Sequence, residues 1–298
     1  MTTALKSRTL ELLYNDIETA AQICGVTPIK EQYQPVMSAY ESFFTGSAVA
    51  MRTTSHPVGK RDLDVRYVDT VIQYDPYPLA VEKGFLTPDG HPVYNAVSAL
   101  NAELTFCGYG VDVSVTHGLR KIWPFMGVRT PVEDVCAVAG LPDSVRNVMD
   151  YYKKYDLATV SLLAVDYGSR TVNLYFFTGG RPLFSPEKVA GQIADAGFEV
   201  PGEDEILTNA TAASIYLTFN WESSEIVRLS YVLPVPLEHV PIKLPEHLLR
   251  FTREAPTYAE QRRYIYNTAY THTETYTKME VDYTATMGDM LQKPILVA

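Results

Sequence analysis

Arg52, Arg66, Lys121, Arg228 and Lys278 stand in strand-like segments, each on the same parity as polar or aromatic neighbours that include Trp123, Asn173, Tyr175, Ser214 and Tyr216. Alternate residues of a strand face one side, so these cations share a face while the residues between them are mostly aliphatic. A lone arginine on a strand is ordinarily solvated or paired. Five that converge in a chain of formal net charge -10 repel one another unless an anion lies among them. Diphosphate suits such a cluster, because guanidinium forks and ammonium point charges both match its oxygens. Tyr175, Tyr216 and Trp123 offer ring quadrupoles that stabilise a cation, although each ring alone is equally well explained by packing. Cations for a leaving diphosphate beside rings for a carbocation read as one chemistry: ionisation of an allylic diphosphate and capture of the allyl cation by an arene.

The elements that must carry these side chains are legible in the periodicity. Residues 171–176 read Thr-Val-Asn-Leu-Tyr-Phe, with Val172, Leu174 and Phe176 on one strand face and Thr171, Asn173 and Tyr175 on the other. Four other places repeat this alternation. Helical spacing over 7–24, where Leu10, Leu13, Ile17, Ala21 and Cys24 recur, and over 33–45 precedes strand-like runs at 48–55 and 62–68. The same order returns with helices at 77–83 and 93–104 before strands at 106–115 and 119–125. It returns again with helices at 132–139 and 143–154 before strands at 159–166 and 171–177. A fourth copy has helices at 186–196 and 203–210 and strands at 214–220 and 226–232. A fifth has helices at 246–254 and 258–262 and strands at 264–272 and 274–283. Turn residues such as His56-Pro57-Val58-Gly59 and Tyr167-Gly168-Ser169 join the strand pairs. The copies recur about every 50 to 58 residues, a spacing typical of repeated supersecondary units.

Five copies predict ten antiparallel strands in hairpin order. This α+β architecture loses its edges by closing into a ten-stranded antiparallel β-barrel with helices outside. Such a barrel is too wide for side chains to fill, so its lumen is expected to hold solvent and a ligand. From alternation alone, a half-exposed sheet with its polar face in bulk water fits equally well; the content of the polar faces favours the lumen. Taking one residue in two collects Arg52, Thr54, Asp62, Asp64, Arg66, Lys121, Trp123, Thr171, Asn173, Tyr175, Ser214, Tyr216, Thr218, Arg228, Lys278, Glu280 and Asp282 on that inner face.

With 298 residues, 46% hydrophobic and 20% charged, the chain has an ordinary globular composition and is expected to form a single domain over 1–298. Its acidic balance argues against nucleic-acid or anionic-membrane partners, which need an extended basic surface. The opening Met-Thr-Thr-Ala-Leu-Lys-Ser-Arg has no signal-type apolar core, and no apolar run approaches the roughly 20 residues of a membrane span, so the expected location is cytoplasmic. Cys24, Cys107 and Cys136 are far apart and odd in number, which indicates neither a disulfide framework nor a zinc site. The six histidines lack ligand spacing, and no GxxxxGK[ST], GxGxxG or DDxxD motif is present.

Residues 52–57 (Arg-Thr-Thr-Ser-His-Pro), 62–67 (Asp-Leu-Asp-Val-Arg-Tyr), 81–84 (Val-Glu-Lys-Gly), 90–93 (Gly-His-Pro-Val), 171–176, 219–222 (Phe-Asn-Trp-Glu) and Arg228 carry a resemblance. Over nearly the whole chain, in order, the sequence resembles the soluble aromatic prenyltransferases of the ABBA family. The resemblance implies five ααββ units around a ten-stranded antiparallel barrel, the PT barrel, and transfer of a prenyl group from its diphosphate to an aromatic acceptor. It implies that Lys121, Asn173, Tyr175, Tyr216, Arg228 and Lys278 match diphosphate binders and the tyrosine shield, and that Trp123, Ser214 and Glu280 face the acceptor. Asp64 matches the aspartate that holds Mg²⁺ in metal-dependent members. Arg66 stands two residues on, where those members have a small residue and metal-independent members an arginine; Arg52 likewise matches a basic residue of the latter. Ser169 departs from a phosphate-binding lysine of some members.

The expected reaction therefore joins dimethylallyl, or geranyl, to carbon of a phenol, hydroxynaphthalene, quinone or phenazine-type acceptor without a required cofactor, Mg²⁺ included. Arg52, Arg66, Lys121, Arg228 and Lys278 aid ionisation; Tyr175 and Tyr216 shield the cation; Glu280 orients the acceptor or takes a proton. Arg66 is expected either to pair with Asp64 or to reach the phosphate. The partners are an allylic diphosphate and a small arene, and the expected state is a monomer. An allylic diphosphate hydrolase or terpene cyclase using the same cations, and a non-catalytic small-molecule-binding barrel, are the alternatives.

Overall fold

The computed structural model describes residues 8–177, 184–233, 244–259 and 262–284. Ten strands, β1 (Ala48–Thr54), β2 (Leu63–Asp69), β3 (Phe106–Ser114), β4 (Gly118–Pro131), β5 (Thr159–Asp166), β6 (Thr171–Phe177), β7 (Ser214–Asn220), β8 (Arg228–Leu233), β9 (Tyr264–Tyr270) and β10 (Thr275–Asp282), form one closed antiparallel barrel. Each strand pairs with its sequence neighbours, and the register Ala50↔Asp282 to Thr54↔Lys278 between β1 and β10 shuts the seam.

The outward parity explains the helical shell. Val49 and Met51, Leu63 and Val65, Val111 and Val113, Val172 and Leu174, and Ile215 and Leu217 are all buried beneath helices. Those helices are α1 (Leu10–Cys24), α2 (Lys30–Ala39), α3 (Glu41–Gly46), α4 (Tyr77–Glu82), α5 (Val93–Glu103), α6 (Val132–Ala137), α7 (Asp143–Asn147), α8 (Met149–Lys154), α9 (Pro186–Asp195), α10 (Glu203–Asn209) and α11 (Glu246–Glu254). In α1 the Thr9 hydroxyl caps the Leu12 amide and Gly25 ends the helix at φ 68°, a left-handed conformation that suits glycine.

Two expected helices are each split. The 33–45 segment breaks at Tyr40, whose hydroxyl donates to the Pro76 carbonyl at 2.6 Å, and the 143–154 segment breaks at Val148. The helix expected at 258–262 does not form at Tyr258 and Ala259. There the Tyr258 amide donates to the Tyr283 carbonyl at 2.8 Å, so the chain is held against the end of β10. Residues 260 and 261 of that segment lie outside the described ones. β4 runs six residues beyond the expected end at Phe125, crossing an irregularity against β5 between Phe125 and Thr130.

Along its axis the inner wall changes character. Ala48, Ala50, Val68, Phe125, Leu162, Ala164, Phe177, Val232 and Ile265 line one end with apolar surface. Charged and hydroxylated side chains line the other end, where the β1–β2, β3–β4, β5–β6 and β7–β8 turns gather.

Close backbone approach fixes one rim of the apolar end. A Cβ on Gly108 would stand 2.1 Å from the Asp69 carbonyl oxygen and 2.7 Å from Thr70 Cα. Gly108→Ala is therefore expected to cost about 1–3 kcal/mol of stability, read by chemical denaturation. Gly46→Ala, whose Cβ meets nothing within 4 Å, is expected to match the parent.

Candidate active site

Strand register writes the electrostatics of the lumen. Glu280, Arg52 and Asp64 are direct cross-strand neighbours on β10, β1 and β2. Arg66, Asp112, Lys121 and Asp166 form a second row across β2, β3, β4 and β5. Sign alternates at each step of both rows, the favourable cross-strand arrangement.

Side-chain geometry follows those rows. Asp112 is fully buried; it accepts from Arg52 Nη2 at 3.1 Å, from Arg66 Nη2 at 3.1 Å and from Trp123 Nε1 at 2.9 Å, while Arg66 Nε stands 2.9 Å from its other oxygen. Arg66 Nη1 pairs with Glu280 at 2.6 Å and its guanidinium lies 4.7 Å from the Trp123 ring centroid. Arg52 bonds Asp64, and Lys121 pairs with Asp166 at 3.0 Å. Arg66 thus pairs across strands with Asp112 and Glu280 rather than along its own strand with Asp64. Residues i and i+2 stand ~7 Å apart, whereas opposite residues on paired strands stand ~5 Å apart.

The expected mutual repulsion of five cations is corrected accordingly: Asp64, Asp112, Asp166 and Glu280 interleave with Arg52, Arg66 and Lys121. Burial would raise Asp64 and Asp166, but Arg52 beside the first and Lys121 beside the second outweigh it, leaving Asp64 below the usual range and Asp166 at about 2. Glu280 behaves oppositely: burial lifts its carboxyl despite the opposing pull of Arg66.

Lys278 and Arg228 differ from the rest. Among the described residues neither forms an ion pair. Buried Lys278 donates to the Tyr216 hydroxyl and lies 5.0 Å from the Tyr216 ring centroid; Arg228 lies 5.9 Å from the same ring and reaches Asn173 Oδ1 at 3.4 Å. Burial first, and Arg228 next, depress the Lys278 ammonium well below its ordinary basicity, and burial brings Lys121 down to about 8. Around these cations Thr171 Oγ1, Asn173 Nδ2, Thr218 Oγ1 and Arg228 Nε make no hydrogen bond among the described residues. Buried donors without partners are rare, and the chemistry of this set matches a group rich in acceptor oxygens.

Tyr175 and Tyr216 stack at 4.5 Å between centroids, with Trp123 5.4 Å from Tyr175. Lys278 and Arg228 lie at the Tyr216 end of this run of rings, and Arg66 with its partner Glu280 at the Trp123 end. Ser214 is buried toward the apolar end, in register with Phe177 and Val232. The twelve residues singled out in the sequence, Arg52, Asp64, Arg66, Lys121, Trp123, Asn173, Tyr175, Ser214, Tyr216, Arg228, Lys278 and Glu280, therefore all lie on the inner wall. Asp62 precedes β2, where its carboxylate accepts from the Ser114 hydroxyl at 2.5 Å.

The family described as Aromatic prenyltransferase Orf2 matches residues 9–293. The chain belongs to this family. It is similar to the 5,10-dihydrophenazine-1-carboxylate 9-dimethylallyltransferase of Streptomyces anulatus, 27% identical with 92% of this chain and 93% of that protein covered. The flaviolin linalyltransferase of Streptomyces virginiae is 26% identical, with 91% of each covered. The crystal structure of 5-dimethylallyltryptophan synthase from Streptomyces coelicolor shares the fold with a TM-score of 0.60 over 95% of this chain and 99% of that one, at 10% identity.

The barrel of this aromatic prenyltransferase also places beside the site residues that the sequence alone did not single out. Asp112 and Asp166 sit at inward parity on β3 and β5, and counting alternate residues there finds them. Tyr276 shares the parity of Lys278 and receives a 3.5 Å contact from Arg228. Arg120 has no such signal. Among the described residues no group of three His, Cys, Asp or Glu is placed to hold a metal ion.

The two kinds of charge predict opposite responses. Asp112→Asn removes the carboxylate that Arg52 and Arg66 share, leaving Arg52 only Asp64 and Arg66 only Glu280 as ion-pair partners among the described residues, and is expected to cost the prenyltransferase about 3 kcal/mol of stability. Lys278→Met removes a buried cation that no carboxylate meets among the described residues, and is expected to leave stability unchanged or raised. Urea denaturation of both variants checks this; an equal loss in each would mean that the Lys278 charge is compensated.

Proposed function

We infer that this aromatic prenyltransferase transfers dimethylallyl from its diphosphate to a carbon of a small electron-rich arene of phenol, hydroxynaphthalene, quinone or phenazine type, without bound Mg²⁺. The observation that carries the reading is the cluster of uncompensated cations and unpartnered donors around Lys278 and Arg228, set against stacked Tyr175 and Tyr216. The names of the relatives, which act on a dihydrophenazine carboxylate and on flaviolin, support the acceptor class.

Lys121, Asn173, Tyr216, Arg228 and Lys278 hold the diphosphate. The allylic C–O bond breaks with its electron pair passing to the diphosphate oxygen, whose growing charge those groups stabilise. Tyr175 and Tyr216 shield the allyl cation, and exclusion of water keeps it from ending as an alcohol. An arene against Trp123, oriented by Glu280 and Ser214, attacks through carbon; the ring proton leaves to Glu280, whose raised pKa suits a base. Arg52 and Arg66 set the field of the site through Asp64, Asp112 and Glu280. Asp64, with Arg52 and Arg120 beside it, has its charge met by guanidinium, which supports the metal-free reading. We read the catalytic unit as one cytoplasmic domain over 1–298. Barrel closure leaves no free edge strand for a second copy to extend, which supports a monomer.

Turnover of dimethylallyl diphosphate with a panel of phenols, hydroxynaphthalenes and phenazines tests the reading. C-prenylated product is expected, undiminished by excess EDTA, and Arg228→Ala and Lys278→Met are each expected to lose the equivalent of about 2–4 kcal/mol of barrier lowering. Prenyl alcohol or a cyclic terpene alone, or no turnover, would instead identify a hydrolase, a cyclase or a carrier; abolition by EDTA would reject the metal-free reading.

A second expectation concerns protons. Without a bound anion, burial makes Lys278 and Lys121 release protons at lower pH than an ordinary ammonium, Lys121 at about 8 against 10.5. A bound diphosphate draws those protons back, so binding takes up protons and affinity weakens as pH rises above about 8. Calorimetry with inorganic diphosphate in buffers of different ionisation enthalpy measures the uptake; affinity flat through this range would contradict the assigned cations.

A further inference from the structure

A break in the β3–β4 ladder puts one more cation at the charged mouth. Register pairs Asp112 with Lys121 but Val113 with Leu119, so Arg120 is skipped and has no partner on β3. Such bulges re-aim side chains and are frequent beside active sites. Its backbone carbonyl accepts from the Tyr167 amide at 2.9 Å, and its Cγ lies 3.7 Å from where a Cβ on Gly168 would stand, so the side chain runs along the β5–β6 turn.

Arg120 is poorly employed where it stands. Its guanidinium lies 3.7 Å from Asp64 and 3.6 Å from Asp166, and among the described residues its side chain donates no hydrogen bond. Charge-assisted bonds are ordinarily ~2.7–2.9 Å. Each carboxylate already has a closer cation, Arg52 for Asp64 and Lys121 for Asp166, so neither is left bare if Arg120 turns to a ligand. Arg120 is also near enough that its charge lowers the basicity of both Lys121 and Lys278.

Depth in the lumen orders these groups. Lys121 and Lys278 are buried, whereas the Arg120 side chain is 34% exposed, so Arg120 stands nearer solvent than either lysine. A donor with its allyl carbon against Tyr175 and Tyr216 presents its inner phosphate to Lys278 and Arg228 and its outer phosphate toward the mouth. We propose that Arg120 is a further diphosphate-binding residue, which takes the outer phosphate of the allylic donor and thereby distinguishes diphosphate from monophosphate. The proposal rests on the assignment of the donor to the Lys278–Arg228 half.

The test measures binding of inorganic diphosphate and inorganic phosphate, with steady-state kinetics alongside. Arg120→Gln is expected to weaken diphosphate about 10- to 100-fold, the scale of a lost charged hydrogen bond, while phosphate binding and the melting temperature of the free protein stay unchanged. KM for the allylic diphosphate rises and KM for the acceptor at saturating donor does not; Arg120→Lys recovers part of the loss. Unchanged diphosphate affinity in Arg120→Gln, with Lys278→Met losing it, would overturn this role alone. Equal weakening of phosphate and diphosphate would also overturn it, and retention of diphosphate affinity in Lys278→Met would overturn the donor-site assignment beneath it.

Discussion

Asp112 is the side chain on which the rest of the lumen depends. It has no exposed surface, yet it accepts hydrogen bonds from two guanidiniums and an indole. Burying a charge is costly unless it is paired and hydrogen-bonded, and Asp112 meets that condition for Arg52 and Arg66 at once. By fixing Arg66 it also fixes Glu280 and the plane against Trp123. The wall of one half of the cavity is therefore rigid, neutralised and preformed.

The other half is left deliberately incomplete. Lys278 and Arg228 share Tyr216 as a neighbour instead of a carboxylate, and hydroxyl and amide donors near them are unpartnered. The contrast sets carboxylate-paired positions against cations that among the described residues have no carboxylate partner.

Much of this was legible in the sequence because strands report which side a residue faces. The strands over 159–166, 171–177 and 214–220 were read to the residue, and the twelve site residues share the inner wall. Helix ends were less legible: the break at Tyr40 coincides with a bond from its hydroxyl to the Pro76 carbonyl, 36 residues on, which local composition does not report, and nothing in local composition marks the break at Val148. Partnership was the weakest part. Parity locates Arg66 on the wall, but only register between strands 46 residues apart in the chain gives it Asp112. Arg120 escaped because a bulge cancels the very alternation on which the reading relied.

The seam between β1 and β10 has a consequence for how the molecule comes into being. It joins Ala50 to Asp282, and Arg52 to Glu280, so the barrel cannot shut until almost the whole chain is present. Pairings so distant in sequence are slow to form, because the entropy of closing the longest loop must be met before any contact offsets it. Until then two strand edges stand open to strangers. The ladder that shuts the seam carries Lys278 and Glu280, so the inner wall is complete only once the barrel is closed.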